Sequence, residues 1–297
     1  MGAGHPECPQ RLAAIEDQLL VSGVMDVLKP MDVPIVDPQD VLRAHTQAHW
    51  VHLQNLHDQV VTQGQTLAID GDTAMNPHSW EAAQRASGAA VAAVDAVLGG
   101  DCRGAFCAVR PPGHHATADT AMGFCLLNNV AIAAKHALSR GLQRVAIVDF
   151  DVHHGNGTED IVAGDPGILM LGIYQHPFYP PGGARSDAPN LLNLPVAAYT
   201  RGDALRDLIA QHWWPRLRDF DPDLIVISAG FDAHREDDLG QLGMVEADYA
   251  WITRYLVRET RAGQMGRVVS CLEGGYNLSA LARSVVAHVR ELAEIAG

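Results

Sequence analysis

The chain has no run approaching the ~18 consecutive apolar residues that a membrane-spanning helix needs. Its start, Met1-Gly2-Ala3-Gly4-His5-Pro6-Glu7, lacks the segments of a secretory signal. We therefore expect a cytoplasmic protein with no membrane partner. Basic residues are scarce: 21 Lys and Arg stand against 35 Asp and Glu, for a net charge of −14. A nucleic-acid binder shows a basic face, so no nucleic-acid partner is expected. The cysteines, Cys8, Cys102, Cys107, Cys125 and Cys271, are odd in number and form no C-x-x-C pair. That argues against a disulfide framework and against a thiolate zinc knuckle. Repeats, low-complexity tracts and linkers are also missing, so we read residues 1–297 as one domain, with enough apolar content (47%) for a large core.

What is present is an alternation of apolar strand-like runs and amphipathic runs. The spacing predicts helices over 80–98, 129–139, 203–217, 248–262 and 278–296, and strands over 105–109, 145–150, 168–174, 223–229 and 268–272. Strands separated by helices imply βαβ units, hence an α/β chain of three layers with a mostly parallel central sheet. In such sheets ligands bind beyond the carboxyl ends of the strands. Here those ends run into loops rich in Gly, His, Asp and Tyr.

One loop carries the most information. The strand beginning at Val145 ends in Asp149-Phe150-Asp151-Val152-His153-His154-Gly155-Asn156-Gly157. Residues two apart on a strand face the same way, so Asp149, Asp151 and His153 share a face as far as the strand continues. Burying such a cluster is very costly without a cation among the carboxylates, which points to a divalent metal. Four further segments follow other strands: Arg110-Pro111-Pro112-Gly113-His114-His115, Tyr179-Pro180-Pro181-Gly182-Gly183, Ser228-Ala229-Gly230-Phe231-Asp232-Ala233-His234 and Glu273-Gly274-Gly275-Tyr276. Singly each is a weak signal; a His pair in a loop is more often structural than catalytic. Five at one sheet edge make a site.

The order of these motifs resembles the histone deacetylase superfamily, which includes bacterial acetylpolyamine deacetylases, from His5 to the last helix. His-Gly-Asn-Gly at 154–157 and Asp70-Gly71-Asp72-Thr73 are similar to its class II branch. The resemblance implies the arginase/deacetylase fold, and Zn2+ (Fe2+ as the alternative in the cell) held by Asp151, His153 and Asp232. Zinc polarises an amide carbonyl and lowers the pKa of water. His115 is then expected to move the proton, Tyr276 to donate a hydrogen bond to the oxyanion, and His114 to act electrostatically. Asp149 is expected to pair with His114 and Asn156 with His115. The resemblance also implies K+ beside the zinc, through Asp149 and main-chain carbonyls. The usual serine ligand falls at Gly172, so a backbone or water oxygen must substitute.

For substrate, the resemblance implies a narrow tunnel walled by Gly123, Phe124 and Tyr179, with Leu239 at its mouth and Asp72 gripping the substrate backbone or amine. Arg11 matches an arginine behind the metal at an internal acetate cavity. The leading expectation is a deacylase of N-acetyl-lysine in proteins or peptides; the alternative is an amidohydrolase of N-acetylpolyamines or other small amides. An arginase-like two-manganese enzyme is disfavoured by the Gly-Gly-Tyr loop and the His pair. A non-catalytic acetyl-lysine binder is disfavoured by His115 and Tyr276. Relatives carry further residues before His-Pro-Glu that form an edge strand. Either the start is assigned too late or that strand is missing here, and a missing strand would leave a sheet edge for a partner subunit to cover in a homo-oligomer.

Overall fold

The computed structural model describes Gly2 and residues 4–184, 186–259 and 267–294. The chain opens with α1 (Gln10–Val21), a short 3-10 turn (Val24–Val27), α2 (Pro38–Val41) and α3 (Gln47–Gln63), then a small hairpin of β1 (Leu67–Ala68) and β2 (Ala74–Met75). The remainder alternates: α4 (Ser79–Gly99), β3 (Gly104–Cys107), α5 (Asn129–Ser139), β4 (Val145–Asp149), α6 (Asn156–Val162), β5 (Ile168–Gln175) and β6 (Leu191–Val196), then α7 (Gly202–Phe220), β7 (Leu224–Ala229), α8 (Glu246–Glu259), β8 (Val268–Leu272) and α9 (Leu278–Leu292). Among the described residues the main sheet has six strands in the order β3-β8-β7-β4-β5-β6, all parallel.

Helices cover both faces, which is why the central strands read as unbroken apolar runs. Every residue of β4 and of β7 is buried. Alternate residues serve opposite layers. Val145 and Ile147 pack with Ala90 of α4 and Ile132 of α5, whereas Ala146 and Val148 pack with Ile15 of α1, Trp213 of α7 and Leu281 of α9. Trp213 and Trp214 are core residues. Asparagines start two helices beside the strand ends: Asn128 Oδ1 accepts from Ala131 N, and Asn277 Oδ1 from Ala280 N. No helix among the described residues is long and apolar enough to cross a membrane.

The α/β class and the parallel sheet match the sequence expectation, and the differences have local causes. The predicted 105–109 strand ends early, at Cys107, because Val109 N turns back to Cys107 O. β6 was not anticipated: it contains Pro195 and the polar Asn193. An edge strand tolerates that proline because one side of it needs no ladder. α7 runs to Phe220 through Pro215, which the periodicity had stopped at 217. The predicted continuations of α8 to 262 and α9 to 296 lie partly outside the described residues. α1 buries only Arg11, Ile15 and Leu19.

One buried histidine predicts acid sensitivity. His288 sits in the core, with Nδ1 2.6 Å from Thr253 Oγ1 and Nε2 2.8 Å from Ser270 Oγ. Thr253 Oγ1 donates to Tyr249 O, so it accepts from Nδ1, and Nε2 accepts from Ser270. Burial lowers this imidazole to about 3. In the unfolded chain it titrates near ~6.5, so its contribution is intact above that pH and is lost as the pH falls toward 3. At roughly 1.4 kcal/mol per unit, going from pH 7 to 5 costs about 2 kcal/mol. Urea melts should show that loss to be smaller by about this amount in His288→Gln than in the parent. An equal loss in both would contradict the assignment.

Candidate active site

The strand β4 stops at Asp149, so the face that Asp149, Asp151 and His153 would share on a continuing strand does not extend past Asp149. Beyond it the backbone turns on its own carboxylates: Asp149 Oδ1 accepts from Asp151 N at 3.0 Å, and Asp151 Oδ1 from His153 N at 2.9 Å. Short acidic side chains bond readily to backbone two residues on, which breaks a strand. Asp149 is thereby directed to His114, while Asp151 and His153 converge on Asp232 from the loop after β7.

Asp151, His153 and Asp232 place one ligand atom each within 4.8 Å of one another and could hold a metal ion. His153 Nδ1 lies 2.9 Å from Asp151 Oδ1 and 3.2 Å from Asp232 Oδ2. These separations resemble the edges of a tetrahedron with ~2.0 Å bonds. Asp232 Oδ1 accepts from Val152 N, but Oδ2 is buried without a hydrogen-bond partner among the described residues. An orphaned buried carboxylate oxygen is what a cation would satisfy. Burial opposes charge on His153, yet Asp151 and Asp232 prevail and lift it to about 10; burial and Asp151 raise Asp232 to about 6. The cluster draws positive charge. Two carboxylates and one imidazole also leave coordination positions open, as a catalytic site requires. Gly274 allows this close packing, since a Cβ there would collide with the Asp232 carboxylate.

Two adjacent histidines have unlike partners. His114 Nδ1 meets Asp149 Oδ2 at 3.0 Å, and His115 Nδ1 meets Asn156 Oδ1 at 2.7 Å. The His114 ring is fully buried, which disfavours its charge, but Asp151 and Asp149 outweigh this and raise it well above the usual imidazole value. Burial and the neighbours His114 and His153 push His115 well below that value. The pair is thus one cation and one neutral base, 4.0 Å apart between ring centroids. With Asn156 accepting from Nδ1, the lone pair of His115 is on Nε2.

The loop 273–276 is held from three sides. Glu273 Oε2 accepts from Gly113 N and His114 N, tying this loop to the histidine loop. Arg11, wholly buried, donates to the carbonyls of Glu273 and Gly275 and stands 5.0 Å over the Tyr276 ring. Asp237 Oδ2 accepts from Tyr276 N and Asn277 N. Burial raises the Tyr276 phenol well above its usual value, against the pull of Arg11, so it remains a protonated donor.

A pocket of about 200 Å³ opens above these groups, lined by His115, His153, Phe124, Tyr179 and Tyr276 among others. Phe178 stacks on His153 at 5.3 Å, and Tyr179 stands edge-on to His115 at 5.1 Å. Phe124 has φ 69°, a costly conformation for a bulky residue. Its N–H donates to Thr73 Oγ1, which donates to Asp72 Oδ1. Asp70, not Asp72, caps that turn by accepting from the 72 and 73 amides.

The structure brings His114, His115, Tyr276, Asp149, Asn156, Asp151, His153 and Asp232 together; Asp72, Gly123, Phe124, Tyr179 and Leu239 line the pocket. Arg11 does not line it; its donors go to the 273–276 loop and to Glu7. Sequence reasoning named Glu273 within its motif but gave it no role, and it missed Phe178 and Asp237. Glu273 had a signal, since it directly ends the apolar run of β8; the other two depend on long-range packing.

The Histone deacetylase domain family model matches residues 5–292. An uncharacterized protein of Synechocystis is 42% identical over 299 residues, covering 98% of this chain and 94% of its own. The histone deacetylase-like amidohydrolase of Pseudomonas aeruginosa is 34% identical over 303 residues, covering 99% of this chain and 78% of its own. Among solved structures, the HDA15 HD domain superposes with TM-score 0.91 at 33% identity, over 99% of this chain and 85% of that one. With this fold, this site and these relatives, the chain belongs to the histone deacetylase family and is a deacetylase, a hydrolase of acetylated substrates.

Proposed function

We propose that the enzyme is a zinc-dependent deacylase of N-acetyl-lysine in proteins or peptides. The observation that carries this reading is the unlike pair His114 and His115 beside the triad Asp151, His153 and Asp232. Zinc bound by the triad supplies positive charge that polarises the amide carbonyl and acidifies water. His115 Nε2 takes the proton from water as its oxygen bonds to the carbonyl carbon, and returns a proton to the nitrogen as the C–N bond breaks. His114, an imidazolium held by Asp149, stabilises the developing negative charge. Tyr276 donates its phenolic hydrogen to the former carbonyl oxygen. Arg11 acts through the loop it anchors, as a positioning residue. Phe124, Phe178 and Tyr179 give an apolar sleeve for a lysine stem, and Asp72 at the rim accepts from the substrate's backbone. A potassium ion beside the zinc belongs to the same proposal.

A second reading, an amidohydrolase of acetylated polyamines, is favoured by one observation. Asp238 lines the mouth with Asp72, is exposed, and has no ion-pair partner among the described residues. Two carboxylates at one opening suit a substrate with a second cationic amine. Exposed pairs are worth about 0.2–1 kcal/mol, so Asp238→Asn should raise KM for N-acetylputrescine a few-fold and leave an uncharged acetyl-amide unaffected. Amine release from an acetyl-lysine peptide and from N-acetylputrescine, measured in parallel on zinc-loaded protein, separates the readings. Turnover of the peptide supports the first; turnover of the polyamine alone sinks it.

A further inference from the structure

A gap interrupts a row of side chains across the sheet. Ser228 of β7, Asp149 of β4, Gly172 of β5 and Asn193 of β6 are successive register partners. Residues paired in this way present their side chains on one face. Ser228 Oγ donates to Glu273 Oε1, and Asp149 faces His114. Next in the row Gly172 has no side chain, and Asn193 leans into that space: a Cβ on Gly172 would stand 2.6 Å from Asn193 Oδ1. The amide orientation is fixed because Nδ2 donates to Glu159 Oε2 at 2.6 Å. Its oxygen is then buried with no hydrogen-bond partner among the described residues.

An unsatisfied buried carbonyl oxygen costs about 1–3 kcal/mol. Sited over an empty Cβ position beside a buried carboxylate, it is arranged to meet a cation. Four carboxylic side chains, Asp149, Asp151, Asp232 and Glu273, are buried at this end of the sheet. A neutral amide oxygen and a carboxylate already shared with His114 offer too weak a field for a second divalent ion, which prefers several carboxylates or waters. Neutral carbonyl oxygens are the usual cage of potassium.

We propose that Asn193 Oδ1 is a ligand of a potassium-sized monovalent cation seated over Gly172 beside Asp149. The amide reaches from β6 to do what a hydroxyl side chain at position 172 would do. This rests on the reading above that the site also takes potassium, and it names the side chain of this protein that makes up for the missing one.

The test is the melting temperature of the zinc-loaded protein, titrated with KCl against tetramethylammonium chloride at constant ionic strength. The parent should show a saturable rise with K+. Asn193→Ala should raise the half-saturating K+ concentration about tenfold or more, the worth of one charged hydrogen-bond-like contact. Gly172→Ser alone should be destabilised by collision with Asn193, whereas Gly172→Ser with Asn193→Ala should recover the K+ response, its hydroxyl replacing the amide oxygen. An unchanged half-saturation in Asn193→Ala would overturn the proposal. If that variant does not fold, parent crystals soaked in thallous acetate decide. An anomalous peak in direct contact with Asn193 Oδ1 supports the assignment, and its absence there refutes it. Zinc-dependent amine release on the same preparation keeps the two readings apart: if it persists without a K+ response, only the cation inference fails.

Discussion

Replacing Asp232 with asparagine should empty the triad of metal and lower turnover by roughly 10⁴-fold, equivalent to about 5–6 kcal/mol of transition-state stabilisation. The substitution is nearly isosteric, and Oδ1 can still accept from Val152 N, so the loop after β7 keeps its anchor. What disappears is the anionic oxygen that lies 3.2 Å from His153 Nδ1 and has no hydrogen-bond partner among the described residues. Removing one of two carboxylates also reduces the pull that raises His153 to about 10. Metal content after dialysis against sub-stoichiometric zinc, read together with amine release, checks this. A variant that retains one equivalent of zinc and turns over within a few-fold of the parent would remove Asp232 from the site.

Tyr276→Phe should lower kcat by about 10²–10³-fold with KM nearly unchanged, the signature of a hydrogen bond made only as negative charge develops on the carbonyl oxygen. The ring itself is held independently of its hydroxyl. Phe124 packs edge-on at 5.9 Å, Arg11 lies over the ring at 5.0 Å, and Asp237 pins the 276 and 277 amides. Phenylalanine therefore fills the same space. Burial keeps the phenol protonated across the working pH range, so the loss should be almost independent of pH between 6 and 9. Steady-state kinetics of the variant decide: a kcat within threefold of the parent, or an effect carried wholly by KM, would assign the tyrosine to binding or packing.

The catalytic loops were readable from sequence because each chemistry-bearing residue follows directly on an apolar strand. Asp149 ends β4 and Glu273 follows β8, where a buried run suddenly turns polar. The pairing of those residues was less readable. Periodicity alone put Asp149 with Asp151 and His153, but the Asp149 side chain captures the Asp151 amide and ends the strand, so the triad is completed by Asp232 from another loop. Phe178 escaped notice because its role is to stack on His153, a contact no local pattern encodes. Asn193 was invisible for a similar reason: β6 looks like a polar loop with a proline, and only its register beside Gly172 gives the amide meaning.

The central claim is that one metal in the Asp151, His153 and Asp232 site drives amide hydrolysis. Its most direct test is to strip the protein of metal, add zinc in sub-stoichiometric steps, and measure amine release from an acetyl-lysine peptide at each step. The account predicts negligible release at zero zinc and a linear rise that breaks at one equivalent. Release that is undiminished in stripped protein, or absent at every level of zinc and from both acetyl-lysine peptide and N-acetylputrescine, would contradict it.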